Sequence, residues 1–127
     1  MGNGTSIGRV RALGSAKHGS QHWLVQRFTA IGNLVLLAYL IASFVLLPDL
    51  SYVVVHHWLA QPIPATAMAL LVISLFWHAR LGLQVVLEDY VHEAGTKFAC
   101  IAALNLAVFG GAGFGLFSII RLALGGA

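Results

Sequence analysis

Residues 28–47 read FTAIGNLVLLAYLIASFVLL, twenty in a row without a charged side chain. As a helix rising about 1.5 Å per residue, this run covers about 30 Å, the thickness of a bilayer's hydrocarbon core. Residues 63–87, IPATAMALLVISLFWHARLGLQVVL, form a second run of similar character. It follows Pro62 and has Pro64 in its first turn, where proline suits a helix start, and it carries His78 and Arg80 within it. The third run, 98–120, is FACIAALNLAVFGGAGFGLFSII, again uncharged, with Asn105 and a stretch of small residues from Gly111 to Gly115. Such small residues let a neighbouring helix approach closely, and helix packing is the reading preferred for them. The expectation is an all-α integral membrane protein with transmembrane helices at about 28–47, 63–87 and 98–120. They form one membrane domain preceded by a cytoplasmic segment, 1–26.

The composition agrees. Of 127 residues, 59% are hydrophobic and 9% charged, against about 25% charged in soluble domains. A water-soluble globule is excluded, and so is a disordered chain, which has far less apolar surface to hide. The formal charge of +3 is spread along an apolar chain, which argues against nucleic acid as a partner. Cys100 is the only cysteine, so no internal disulfide or cysteine-based metal spacing exists, and it reads as a small buried hydrophobe. The Gly/Ser-rich leader carries Arg9, Arg11 and Lys17, but the apolar run that follows is too long for a cleaved signal peptide. Residues Met1 to Ser6 fit an N-myristoylation pattern, which a chain already spanning the membrane does not need. No repeats or heptads are present, and the spans hold too few polar residues to line a pore.

Arg9, Arg11, Lys17 and Arg27 precede the first span and Lys97 precedes the third, whereas Arg121 alone marks the other side. By the positive-inside rule the N-terminus is cytoplasmic and the C-terminus lies across the membrane, periplasmic in a bacterial inner membrane. In a mitochondrion the matrix takes the cytoplasm's place; the leader makes no convincing presequence, so the bacterial membrane is preferred. The first loop, Pro48 to Gln61, has no Lys or Arg, and its Tyr52 and Trp58 suggest an interfacial segment.

Histidine inside a span is costly unless paired or facing a polar cavity, which makes His78 a functional candidate. At about 100° per residue, Gly82, Val85 and Asp89 fall on its stripe, within about 40°. A neutral imidazole beside a glycine that leaves room for something flat is what axial ligation of haem iron requires. No second histidine lies at that depth in this chain, so another subunit would supply the other ligand. The competing reading is a histidine donating a hydrogen bond to a neighbouring helix carbonyl. Arg80 points about 200° away and has three options: snorkelling, pairing with an acid, or meeting a haem propionate.

At the end of that helix, Glu88-Asp89-Tyr90-Val91-His92-Glu93 sits where a quinone head group would meet protons. Tyr90 is suited to donate a hydrogen bond to a quinone carbonyl and Asp89 to orient it or relay protons, against an aromatic-belt tyrosine beside a solvated loop. Before the first span, His22-Trp23-Leu24-Val25-Gln26-Arg27 reads either as a positive anchor with an interfacial Trp or as an anion contact for a propionate. Thr29 and Asn33 follow on that helix. His56 and His57 diverge by about 100° and have no third ligand nearby, so they are dismissed as a metal pair.

The segment His78-Ala79-Arg80-Leu81-Gly82 through Glu88-Asp89-Tyr90 resembles the signature of the hydrophobic membrane anchor of succinate dehydrogenase: histidine, glycine four residues on, and Asp-Tyr eleven and twelve on. The three spans, the length and Gln26-Arg27-Phe28-Thr29-Ala30-Ile31 are also similar to that family. The resemblance implies that His78 is an axial ligand of a haem b shared with a companion anchor subunit, and that Tyr90, with Asp89 beside it, binds ubiquinone. It also sets His22 and Arg27 near the haem propionates. The implied partners are flavoprotein, iron–sulfur and second anchor subunits, with membrane lipid around them, and the chain itself makes no bond in succinate. Two alternatives remain: a quinol:fumarate reductase anchor running the opposite net reaction, and a haem-free structural subunit of another membrane complex.

Overall fold

The computed structural model describes residues 19–125, and every regular element among them is helical. Helix α1 runs Gly19–Leu46, a short α2 Tyr52–Leu59, α3 Pro62–Tyr90 and α4 Ala94–Ala123. The leader with Arg9, Arg11 and Lys17 and the Met1–Ser6 pattern lie outside the described residues. Three helices are long and apolar enough to cross a membrane: Ser20–Leu46, Pro62–Tyr90 and Ala94–Ala123. Each exceeds the uncharged run that announced it, because helical hydrogen bonding continues past the hydrocarbon boundary into residues such as His22 and Arg27. At about 1.5 Å per residue these helices are longer than a hydrocarbon core of about 30 Å, which requires projecting ends or tilt.

The chain enters and leaves its helices by ordinary local chemistry. Asp49 accepts a hydrogen bond from the Ser51 amide at 2.8 Å, and hydrogen bonding from Ser51, its side chain first and then this amide, holds the carboxyl below the usual carboxylate range. Gln61 caps α3 in an extended conformation and Pro62 takes the first helical position, where no amide hydrogen is needed. Between α3 and α4 the turn is short, and the Glu93 side chain accepts from the amides of Gly95 and Thr96. Hydrogen bonding from the Thr96 side chain first, and then from the Thr96 and Gly95 amides, holds the Glu93 carboxyl below its ordinary value.

Helix α3 is central. It packs against α1 on one side and α4 on the other, while the backbones of α1 and α4 do not approach each other. The segment expected at an interface is the short helix α2, which leans on α3 and α4, with Trp58 5.4 Å from the Phe44 ring at the end of α1. Among the described residues few are buried: Leu59, Pro64, Leu71, Leu81, Val108, Ile119 and the polar Asn33. Large apolar residues such as Phe28, Leu34, Val45, Phe98, Leu106 and Phe114 are exposed along all three long helices. In water this surface would be untenable; in a membrane it is the face that meets lipid or partner helices.

Candidate functional site in the seam between the first and second spans

Helix α1 turns a polar stripe toward α3. His22, Gln26, Thr29 and Asn33 fall at intervals of four, three and four, so they lie one above another on one face. Opposite them α3 presents Ser74, His78 and Gly82. The Ser74 hydroxyl donates to the Thr29 carbonyl at 3.3 Å, and the same oxygen lies 3.7 Å from where a Cβ on Gly32 would sit. His78 is held from both ring nitrogens. Its Nδ1 lies 3.0 Å from the Thr29 hydroxyl and its Nε2 3.5 Å from the Gln26 amide nitrogen. The histidine is therefore paired, as intramembrane depth demands, but its partners are side chains of α1 rather than the backbone carbonyl of the competing sequence reading.

The glycine four residues on is where the two helices leave space. A Cβ on Gly82 would meet only the Gln26 amide nitrogen, at 3.6 Å. Here the helices open into a cleft of about 620 Å³, lined by His22, Trp23 and Gln26 from α1 and by Leu81, Gly82, Gln84, Val85 and Glu88 from α3. Most of its wall is apolar, with polar groups gathered near the end where α1 begins and α3 finishes. Farther along the seam a smaller cleft of about 360 Å³ lies between Phe28, Thr29, Gly32 and Leu36 and the α3 residues Leu70, Ile73, Ser74 and Trp77. The Gln26 and Asn33 side-chain oxygens are buried without a hydrogen-bond partner, and Asn33 as a residue is only 7% exposed. Orphaned acceptors of this kind are uncommon and concentrate the polarity of the seam around His78.

The stripe expected on α3 is only partly realised. Gly82 and Val85 line the cleft near His78, whereas Asp89 is exposed at the helix end and does not line it. Tyr90, the last residue of α3, is 80% exposed, about 18 Å along the axis from His78. Within the acidic cluster the roles separate. Glu93 caps α4; Glu88 accepts from Gln84 Nε2 at 2.8 Å at the rim of the cleft; and the Glu88 carbonyl accepts from Lys97 Nζ at 3.2 Å. Asp89, Tyr90 and His92 remain on the exposed tip. Of the two residues expected near propionates, His22 lines the cleft, while the Arg27 guanidinium lies over the Trp23 ring, 5.3 Å from its centroid, and does not line it.

Arg80 is held within the chain by a partner that was not among the options named for it. Its Nε donates to Asn105 Oδ1 of α4 at 2.6 Å, and its guanidinium lies 5.3 Å from the centre of the Trp77 ring. The sequence named Asn105 without pairing it, because the match depends on how α3 and α4 slide against each other. Gln26 and Asn33 were likewise passed over as site residues, although the 22/26/29/33 spacing in an apolar helix was a readable signal. Among the described residues no group of three or more His, Cys, Asp and Glu side chains is placed to hold a metal ion. A single imidazole suits a metal whose remaining ligands come from a prosthetic group and another subunit.

Comparison with known proteins places this geometry in context. The family model described as the succinate dehydrogenase/fumarate reductase transmembrane subunit matches residues 1–112. A succinate dehydrogenase hydrophobic membrane anchor subunit of Rickettsia bellii is 44% identical over 101 residues, covering 79% of this chain and 80% of the relative. A succinate dehydrogenase membrane anchor subunit of Reclinomonas americana is 33% identical over 93 residues, 71% of this chain and 78% of the relative. The hydrophobic membrane anchor subunit of Coxiella burnetii is 24% identical over 96 residues, 76% of this chain and 84% of the relative.

Proposed function

The chain belongs to the family of succinate dehydrogenase/fumarate reductase transmembrane subunits, and from that membership we propose that it anchors a succinate:ubiquinone oxidoreductase in a bacterial inner membrane. It carries out no chemistry on succinate. Flavoprotein and iron–sulfur subunits oxidise succinate and pass electrons inward, and this chain, with a companion anchor, holds them at the membrane and shapes the site where ubiquinone is reduced. The named relatives favour succinate oxidation over the fumarate reduction that the family description also covers.

The observation that carries the proposal is the setting of His78. It is a half-buried imidazole in a polar seam, one helical turn from Gly82, which lines an apolar cleft. These residues fit a haem b. His78 Nε2 would hold its iron, Gly82, Leu81 and Val85 would give the apolar wall, and His22 and Gln26 would offer donors to carboxylates; Arg27, from its place over Trp23, would reach them only by turning its side chain. When bound, a haem would supply reversible one-electron storage, with a potential tuned by the residues that hold it and their surroundings. The companion anchor would bring the second ligand.

At the exposed end of α3 the chain's own contribution is to quinone. The Tyr90 hydroxyl donates to a quinone carbonyl, placing the ring against the soluble subunits, and Asp89 beside it orients that contact and relays protons. Exposure of both residues fits a pocket completed by another subunit. Arg27 and Lys97 lie toward this end and Arg121 toward the other, which by the positive-inside rule supports an N-terminus in the cytoplasm and a C-terminus in the periplasm. The test is Tyr90→Phe in the complex captured through this chain. Ubiquinone reduction falls roughly ten- to a hundredfold, the worth of one hydrogen bond in the transition state. Succinate oxidation with a soluble acceptor stays unchanged; full quinone turnover in the variant would overturn the role of Tyr90.

A further inference from the structure

We infer that Thr29 is the positioning residue that fixes the tautomer of His78 and tunes its strength as a ligand, an inference that rests on the haem reading above. A hydroxyl has one hydrogen and two acceptor sites. Thr29 Oγ1 lies 2.8 Å from the Val25 carbonyl and 3.1 Å from that of Gln26, both acceptors only. Its hydrogen is committed to that helical backbone, the usual bond of a threonine one turn along. What it offers His78 at 3.0 Å is a lone pair, so Nδ1 must carry the proton. The Gln26 contact agrees, because an amide nitrogen 3.5 Å from Nε2 is a donor facing a bare lone pair.

The ring is thus held with Nδ1 protonated and Nε2 free to bind, the arrangement in which a histidine's second nitrogen ligates a metal. Gln26 must turn aside for a ligand to reach Nε2, and its orphaned oxygen costs little to move. Thr29 does not need to move. An acceptor on Nδ1–H makes the imidazole more basic and favours ferric over ferrous iron.

The experiment measures haem reduction potential and haem retention in the captured complex carrying Thr29, Thr29→Ser, Thr29→Val or Thr29→Ala, with His78→Ala alongside. The expected result is that Ser keeps the wild-type potential, while Val and Ala move it upward. A tenfold loss of preference for ferric iron reads as about 59 mV. Haem loss on dilution rises about 10- to 100-fold in the apolar variants. Wild-type potential and retention in either apolar variant would overturn the inference and leave the haem reading standing. No haem in the wild-type complex, or an unchanged haem in His78→Ala, would instead overturn the reading on which it rests. Should neither apolar variant assemble, ¹⁵N-histidine NMR of the wild-type complex stripped of haem decides: a proton on His78 Nδ1 supports the inference, and one on Nε2 ends it.

Discussion

Where α4 meets α3, contact is made by absence: a Cβ on Gly111 would lie 2.6 Å from the Phe76 ring and one on Gly115 would lie 3.1 Å from Val72, so glycine lets the two helices close without displacing those side chains. Where α1 meets α3, polar side chains face one another across a seam that opens into clefts. One helix therefore carries two unlike faces. The first spends its surface on close packing, which is what associates helices in lipid, where hydrophobic burial offers no advantage. The second keeps hydroxyl, amide and imidazole groups at a depth where they are costly, and leaves space beside them. Costly polarity next to space marks the working face; small residues without space mark the structural one.

Loss of this distinction would show most in matched glycine substitutions. In Gly82→Leu the side chain fills the cleft beside His78, and haem content falls roughly tenfold or more while the complex still assembles. In Gly111→Leu the order reverses: the branch has no room at Phe76, the α3–α4 pair loses about 1–3 kcal/mol, and assembly yield drops before haem per assembled complex does. Gly113 is the control, since a Cβ there meets nothing within 4 Å, and Gly113→Leu should change neither readout. Gel-resolved assembly and haem-to-protein ratio score all three, and a Gly82→Leu complex with full haem would break the comparison.

Smaller effects sharpen it. Arg80→Met removes the bond to Asn105 that joins α3 to α4, and thermal stability of the purified complex should fall by about 0.6–2 kcal/mol, with haem potential untouched. A potential shift of the size expected for Thr29→Val would mean that Arg80 belongs to the working face. The smallest effect lies outside the membrane, at Glu93. Its carboxyl is held low by the Thr96 side chain and by the Thr96 and Gly95 amides, so the cap is at full strength above the ordinary carboxylate range and weakens as pH falls through the lowered value. Hydrogen exchange over the first turn of α4 should accelerate in acid relative to its chemical rate, and Glu93→Gln should remove that acid dependence.

The sequence made some of this legible and hid the rest for physical reasons. The spans were readable because twenty apolar residues have few other uses, and the family resemblance was readable in the spacing of His78, Gly82, Asp89 and Tyr90. The packing role of the 111–115 stretch was expected, but Gly111 and Gly115 bear the contact while Gly113 faces open space, a matter of helix rotation. The partners of His78 and Arg80 were not legible, because Thr29–His78 spans 49 residues and Arg80–Asn105 spans 25, and each depends on the register between two helices. Periodicity ranks residues on one helix; it does not say which residue of the next helix lies opposite.

The central claim is that the α1–α3 seam holds a haem through His78. The most direct measurement is the reduced-minus-oxidised optical spectrum of the complex gently solubilised and captured through this chain, beside its His78→Ala counterpart. The account predicts a b-type haem signal that disappears or shifts in the variant. An intact complex without haem, or a signal identical in both, would contradict it.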